Sequence, residues 1–230
     1  MKIPHSKTPL ILVFLLAGLQ AEAATIADNP SGSFIVGPAG DRIRYTFSNF
    51  LVLNSSITGT GILYEADDVV VAFSSGHFQG GVMGDYYYTT VEFSESSGVG
   101  FNGGTGRGSS FTISYDVVVE RAEGAGPVSP GRASYVASEY HTPLSGVGLT
   151  LTASDGFNTV DIKKPYPGAN LSSLAPQFTV VDQIKFPDSP PPGNGHSYLY
   201  GLRSTFIAVP EIHSASLLLS LSALACRRRR

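Results

Sequence analysis

The segment Phe111–Glu120 (FTISYDVVVE) alternates with a period of two. Phe111, Ile113, Tyr115, Val117 and Val119 fall on one face, and Thr112, Ser114, Asp116 and Glu120 on the other, with Val118 the exception. An extended chain turns successive side chains to opposite sides, so such a run buries one face and wets the other. That pattern belongs to an antiparallel sheet with a single apolar side. Arg42–Ser48 repeats it, with Ile43, Tyr45 and Phe47 inward and Arg42, Arg44, Thr46 and Ser48 outward. Further strands are expected at Ser33–Val36, Gly61–Tyr64, Asp68–Phe73, Tyr86–Phe93, Ala133–Ala137, Val147–Ala153, Phe178–Lys185 and Tyr198–Ile207, between clusters of Gly, Pro, Asn, Ser and Asp. About ten short strands spaced in this way predict an all-β, antiparallel sandwich, jelly-roll or immunoglobulin-like. Gly98–Ser110, with six glycines in thirteen residues, reads as a long flexible hairpin loop, and Ala122–Arg132 as a second loop. Pro187–Gly195 is a stiff proline-rich connector, and the body is taken as one domain.

Both termini carry signals rather than fold. Lys2 and Lys7 precede an uninterrupted apolar run, Leu10–Leu19, and Ala21-Glu22-Ala23 supplies an A-x-A cleavage site. This is the plan of a secretory signal peptide over residues 1–23, with Ala24 starting the mature chain. At the other end, Pro210-Glu211 precedes a mostly apolar stretch, Ala215–Cys226, and then Arg227, Arg228, Arg229 and Arg230. Twelve helical residues rise about 18 Å against roughly 30 Å of hydrocarbon, so the stretch is marginal as a permanent span. The arginines hold the C-terminus on the cytoplasmic side, leaving everything before Val209 outside. The division is therefore a signal peptide (1–23), a secreted domain (24–209) and a sorting segment (210–230).

A Pro-Glu motif, a short apolar helix and a terminal arginine cluster, in that order, resemble the PEP-CTERM sorting signal of Gram-negative bacteria. Carried over, Pro210 and Glu211 are the first two motif positions, Ile212 stands where the family has proline, and Arg227–Arg230 are the basic stop. The resemblance covers Val209–Arg230 only. It implies export by the secretion machinery and signal peptidase, transient anchoring in the inner membrane, and cleavage near the motif by an exosortase, a membrane-embedded protease. The product would be a secreted or cell-surface protein.

The body adds exclusions. Between Ala24 and Pro210 there is no cysteine or tryptophan, so neither disulfides nor thiol chemistry are available. Nine basic residues against sixteen acidic ones leave that stretch at a net charge of −7, which argues against nucleic acid or anionic lipid as partners. Gly98-Val99-Gly100-Phe101-Asn102-Gly103 matches GxGxxG, yet a strand rather than a helix is expected after it, so no dinucleotide site is assigned. His77, His141 and His196 are isolated, with no spacing that converges on a metal. Glu65, Asp67 and Asp68 read as a solvated strand edge, too sparse for a calcium loop, leaving calcium only a site assembled from separate loops. No Gly-x-Ser-x-Gly elbow occurs, and nothing singles out a carboxylate pair for glycan hydrolysis. Tyr86-Tyr87-Tyr88 is split by alternation, with Tyr87 opposed to its neighbours.

The expectation is a structural protein of the surface or extracellular matrix, associated with biofilm or exopolysaccharide, without catalytic activity or cofactor. A carbohydrate-binding sandwich module is the alternative, and a secreted glycan-active enzyme is third. The first two would have extracellular polysaccharide as a candidate partner.

Overall fold

The computed structural model describes residues 23–55, 62–81, 84–103, 110–124, 126–140, 147–162, 168–186 and 198–208. Among them are thirteen strands: β1 (Ala24–Thr25), β2 (Gly32–Val36), β3 (Ile43–Ser55), β4 (Val69–Gly81), β5 (Gly84–Glu95), β6 (Phe101–Asn102), β7 (Ser110–Arg121), β8 (Arg132–Tyr140), β9 (Gly148–Ser154), β10 (Thr159–Ile162), β11 (Ala169–Asn170), β12 (Gln177–Lys185) and β13 (Tyr198–Ala208). They form two antiparallel sheets. One has the order β1-β4-β5-β13-β8-β11, with β6 also paired to β13; the other has the order β10-β9-β12-β7-β3-β2. The all-β sandwich expected from the alternation is what the chain adopts.

Strand β7 follows its pattern residue by residue: Phe111, Ile113, Tyr115, Val117 and Val119 are buried, and the residues between them are not. Alternation on β3 holds from Ile43 to Phe47 and then breaks. Asn49 adopts a left-handed φ of 56°, which its short polar side chain tolerates, and the register against β7 shifts between Ser48 and Leu51. Asn49 Nδ2 donates to Asp116 Oδ2 at 2.9 Å, tying the bulge to the neighbouring strand. The extra residue turns Phe50 into the core and leaves Leu51 and Leu53 more than half exposed on the outer face. Strand β3 therefore runs seven residues past Ser48, where the expected strand ended.

Three other expectations are corrected. Ile62–Tyr64 carries no strand, because the Tyr64 side chain makes the link that a ladder would have made. Its hydroxyl accepts from the Asn102 amide at 2.6 Å and donates to the Asn102 carbonyl at 3.0 Å. Residues Ala66–Asp68 form a 3₁₀ turn rather than a strand edge, closed by Asp68 Oδ2 accepting from the Glu65 amide at 2.9 Å. The stretch expected as one loop from Gly98 contains β6: Gly98 and Gly100 turn at φ of 77° and 93°, and Phe101 then enters the core fully buried.

The core between the sheets is aromatic. Phe47, Phe73, Phe93, Tyr115 and Phe206 are all buried, with Phe47–Phe206 ring centroids 5.4 Å apart and Phe93–Tyr115 5.6 Å apart. Phe50 stacks on Tyr115 at 5.2 Å. Such pairs add to the stabilisation from burying the rings themselves. The buried Tyr45 hydroxyl donates to the Pro130 carbonyl at 3.0 Å, so that ring spans the core with its polar end satisfied.

Candidate functional site

Register between β4 and β5 places one aromatic cluster on the outer face of the seven-stranded sheet. Phe78 lies opposite Tyr86, and Gly76 opposite Tyr88, while His77 lies opposite Tyr87 on the inner side. The Phe78 and Tyr86 rings stack at 5.1 Å with 19° between their planes, and Tyr86 sits 6.1 Å from Tyr88. A Cβ at Gly76 would come within 2.7 Å of the Tyr88 hydroxyl oxygen, so the absence of a side chain there lets Tyr88 lie across β4. Phe78 is 46% exposed. Further along the same face, the Ser74 and Thr90 hydroxyls bond at 2.5 Å. Glu92 Oε2 then accepts from Arg203 Nε at 2.9 Å and from Nη2 at 2.7 Å. Flat rings beside an exposed guanidinium–carboxylate pair form a surface suited to stacking against a sugar ring and bonding its hydroxyls. Tyr87 instead stacks on His77 at 4.0 Å and packs against the core, so the triplet divides as its alternation required.

The two poles of the sandwich differ. At the pole where β7 begins, a cleft of about 330 Å³ is lined by Ile62, Leu63, Tyr64, Asp68, Glu95 and Val99, among others. Ile62, Leu63 and Val99 are exposed, and Tyr64 is buried against Phe111 at 4.7 Å. Burial, opposed by the Asn102 backbone bond and reinforced by the Glu95 and Asp68 charges, pushes the Tyr64 phenol up to about 12. Glu95 also braces the turn beside the cleft, accepting from Ser97 Oγ at 2.5 Å and from the Val99 amide at 3.2 Å.

At the opposite pole the β9–β10 hairpin turns through Asp155-Gly156-Phe157-Asn158. Gly156 has φ 89°, a positive value suited to the first central position of a two-residue hairpin turn. Asp155 Oδ1 accepts from the Phe157 and Asn158 amides at 2.9 and 2.7 Å, and Oδ2 from the Ala175 amide at 2.8 Å. Those three backbone donors hold its carboxyl down at about 2. The turn is thereby fixed, and it holds out Phe157, which is 97% exposed.

Asp182 on β12 is fully buried, and neither carboxylate oxygen has a hydrogen-bond partner. Burial raises its pKa from 3.8 to about 8, so the group is neutral at pH 7. Tyr115 and Ser204 stand near it from β7 and β13, and their hydroxyls also lack completed hydrogen bonds. Burial first, and then the Asp182 charge, raises the Tyr115 phenol well above its ordinary range.

Of the residues expected to carry function, Ala23 is exposed, immediately before β1. Ala21, Pro210, Glu211 and Arg227–Arg230 lie outside the described residues, as do His141 and His196. The GxGxxG segment itself contains the strand β6, and the residues after Gly103, up to 109, lie outside the described residues. Among the described residues no group of three or more His, Cys, Asp or Glu side chains converges as a metal site would require. No described helix is long and apolar enough to cross a membrane. Sequence reading missed Phe157 and Asp182, although Phe178, Val180, Asp182 and Ile184 alternate, and that period alone sets Asp182 on the apolar face. Known protein families, curated proteins and solved structures offer no match to this chain.

Proposed function

We propose that this chain is an exported, exosortase-processed structural protein of the cell surface or extracellular matrix, without catalytic activity. The observation that carries this reading is the order of the last twenty-two residues: Pro210-Glu211, the short apolar stretch, then Arg227–Arg230. The N-terminal signal supports it from the other side. The thirteen strands run from Ala24 to Ala208, so cleavage after Ala23 and near Pro210 cuts through none of them. Replacing Arg227, Arg228, Arg229 and Arg230 by alanine in the native host is expected to remove most of the processed form and to change retention at the membrane. Immunoblots of membrane and medium fractions check this; unchanged size and release would sink the sorting reading.

A second reading rests on the outer aromatic cluster. Phe78, Tyr86 and Tyr88, with the Glu92–Arg203 pair beyond them, suit a polysaccharide lying along β5. On a glycan array the exported protein would bind a defined set of polymers. Phe78→Ala and Tyr86→Ala would each weaken that binding by roughly fivefold, the loss expected for about 1 kcal/mol of stacking. Undiminished binding by both variants would remove this face from consideration.

A further inference from the structure

Val91, Phe93 and Glu95 share the inner face of β5, because alternate residues of a strand turn to the same side. The first two are fully buried. Glu95, opposite Val69 at the end of the β4–β5 pair, puts a carboxylate where the pattern calls for an apolar residue. It lines the cleft of about 330 Å³ at that pole. Asp68 reaches the same cleft from the turn before β4, where its carbonyl accepts from the Ser96 amide at 2.8 Å.

Each carboxylate is fixed through one oxygen. Asp68 Oδ2 accepts from the Glu65 amide, and Glu95 Oε2 from Ser97 Oγ and the Val99 amide. Among the described residues, Asp68 Oδ1 and Glu95 Oε1 accept no hydrogen bond, and neither side chain has a basic partner. No lysine, arginine or histidine lines the cleft. Burial, and then the charges of Glu95 and Asp68, raise the Tyr64 phenol to about 12 against its Asn102 bond, so the field inside is negative. Apolar side chains stand beside this field, since Ile62, Leu63 and Val99 are exposed in the same lining.

We infer that this cleft binds a small organic cation, an ammonium group carried on an apolar body. The free carboxylate oxygens accept hydrogen bonds from the ammonium, and Ile62, Leu63 and Val99 pack on the body. An ion pair in open water is worth little, but a ligand that also buries apolar surface shields the pair and strengthens it. The cleft of about 330 Å³ has room for a phenyl ring and its ammonium, since about 150 Å³ accommodates benzene. An anion meets two like charges there, and a neutral ligand leaves both carboxylates uncompensated. The net charge of −7 between Ala24 and Pro210, nine basic residues against sixteen acidic, attracts the same sign of ligand from solution.

The test is calorimetric titration of the exported protein with benzylammonium, benzyl alcohol and benzoate, which share a ring and differ in charge. Benzylammonium should bind at one site and at least roughly tenfold more tightly than benzyl alcohol, the difference that one charge-assisted bond makes. Benzoate should not bind, and methylammonium, which lacks the ring, should bind more weakly than benzylammonium. Glu95→Gln should weaken benzylammonium by roughly tenfold and leave the alcohol unchanged. Glu120→Gln, which removes an exposed carboxylate at the far end of β7, should change neither. Because Glu95 also braces its turn, Leu63→Ser at an exposed wall position is the second variant, and it should weaken ammonium and alcohol alike. No binding of benzylammonium, equal affinity for the ammonium and the alcohol, or equal losses from Glu95→Gln and Glu120→Gln would each overturn the inference. The site stands apart from the sorting segment and the outer aromatic face, so a failure here leaves both of those readings to their own tests.

Discussion

Asp182→Leu should make the protein more stable at neutral pH and should remove most of the pH dependence of its stability. Below the unfolded value of 3.8 the carboxyl is protonated in both states and costs only its unmet hydrogen bonds. As pH rises above that value the unfolded chain releases the proton, while the folded chain keeps it up to about pH 8. The folded state then binds more protons than the unfolded one, so stability declines as pH rises through this window, by about 1.4 kcal/mol per pH unit at the steepest. Above the folded pKa the loss is complete and the curve flattens. The groups facing Asp182 cannot compensate, because Tyr115 and Ser204 are neutral throughout the window. Asp182→Asn should flatten the slope equally while leaving a buried polar group without partners, so its stability should fall short of the leucine variant. Urea unfolding of the three proteins at pH 5 and pH 8 separates these outcomes. A native protein more stable at pH 8 than at pH 5, with the asparagine variant following it, would show that Asp182 is ionised in the fold.

Phe47→Ala should destabilise the protein by about 3–5 kcal/mol, a large share of the stability of an ordinary domain. Phe47 is fully buried and borders Phe34, Tyr45, Phe73, Tyr115 and Phe206, so the cavity opens where both sheets meet. No disulfide limits the loss, since the body contains no cysteine. Leu53→Ala, three residues beyond the bulge on the same strand and 56% exposed, should change stability by less than about 1 kcal/mol. Denaturant midpoints of the two variants check the pair. Near-equal effects would place the core elsewhere than between the aromatic inner faces of the two sheets.

These residues also mark where the sequence is legible. Strand β7 is readable because one face is apolar and the other polar along almost its whole length. Strand β3 becomes unreadable at Asn49, since a bulge inverts the period and turns the run Phe50–Leu53 into an uninterrupted apolar string. Strands of two residues, such as β1, β6 and β11, are too short for any period to show. Tyr86 and Tyr88 share a face by alternation, but their meeting with Phe78 and Gly76 depends on cross-strand register, which no local pattern encodes. Phe157 sits in a visible Asp-Gly turn, and its exposure is set by the Asp155 bonds to Ala175, twenty residues away. The proposed sorting segment is the reverse case: its reading rests on the order of its residues alone, and it lies outside the described residues.

On the proposed reading, both ends of this chain are removed on the way out of the cell. Intact mass, with peptide mapping of both termini, on the protein recovered from its native host tests this most directly. The account predicts an N-terminus at Ala24 and a C-terminus close to Pro210, with Arg227–Arg230 gone. A secreted protein still carrying its arginine cluster, or one beginning at Met1, would contradict it.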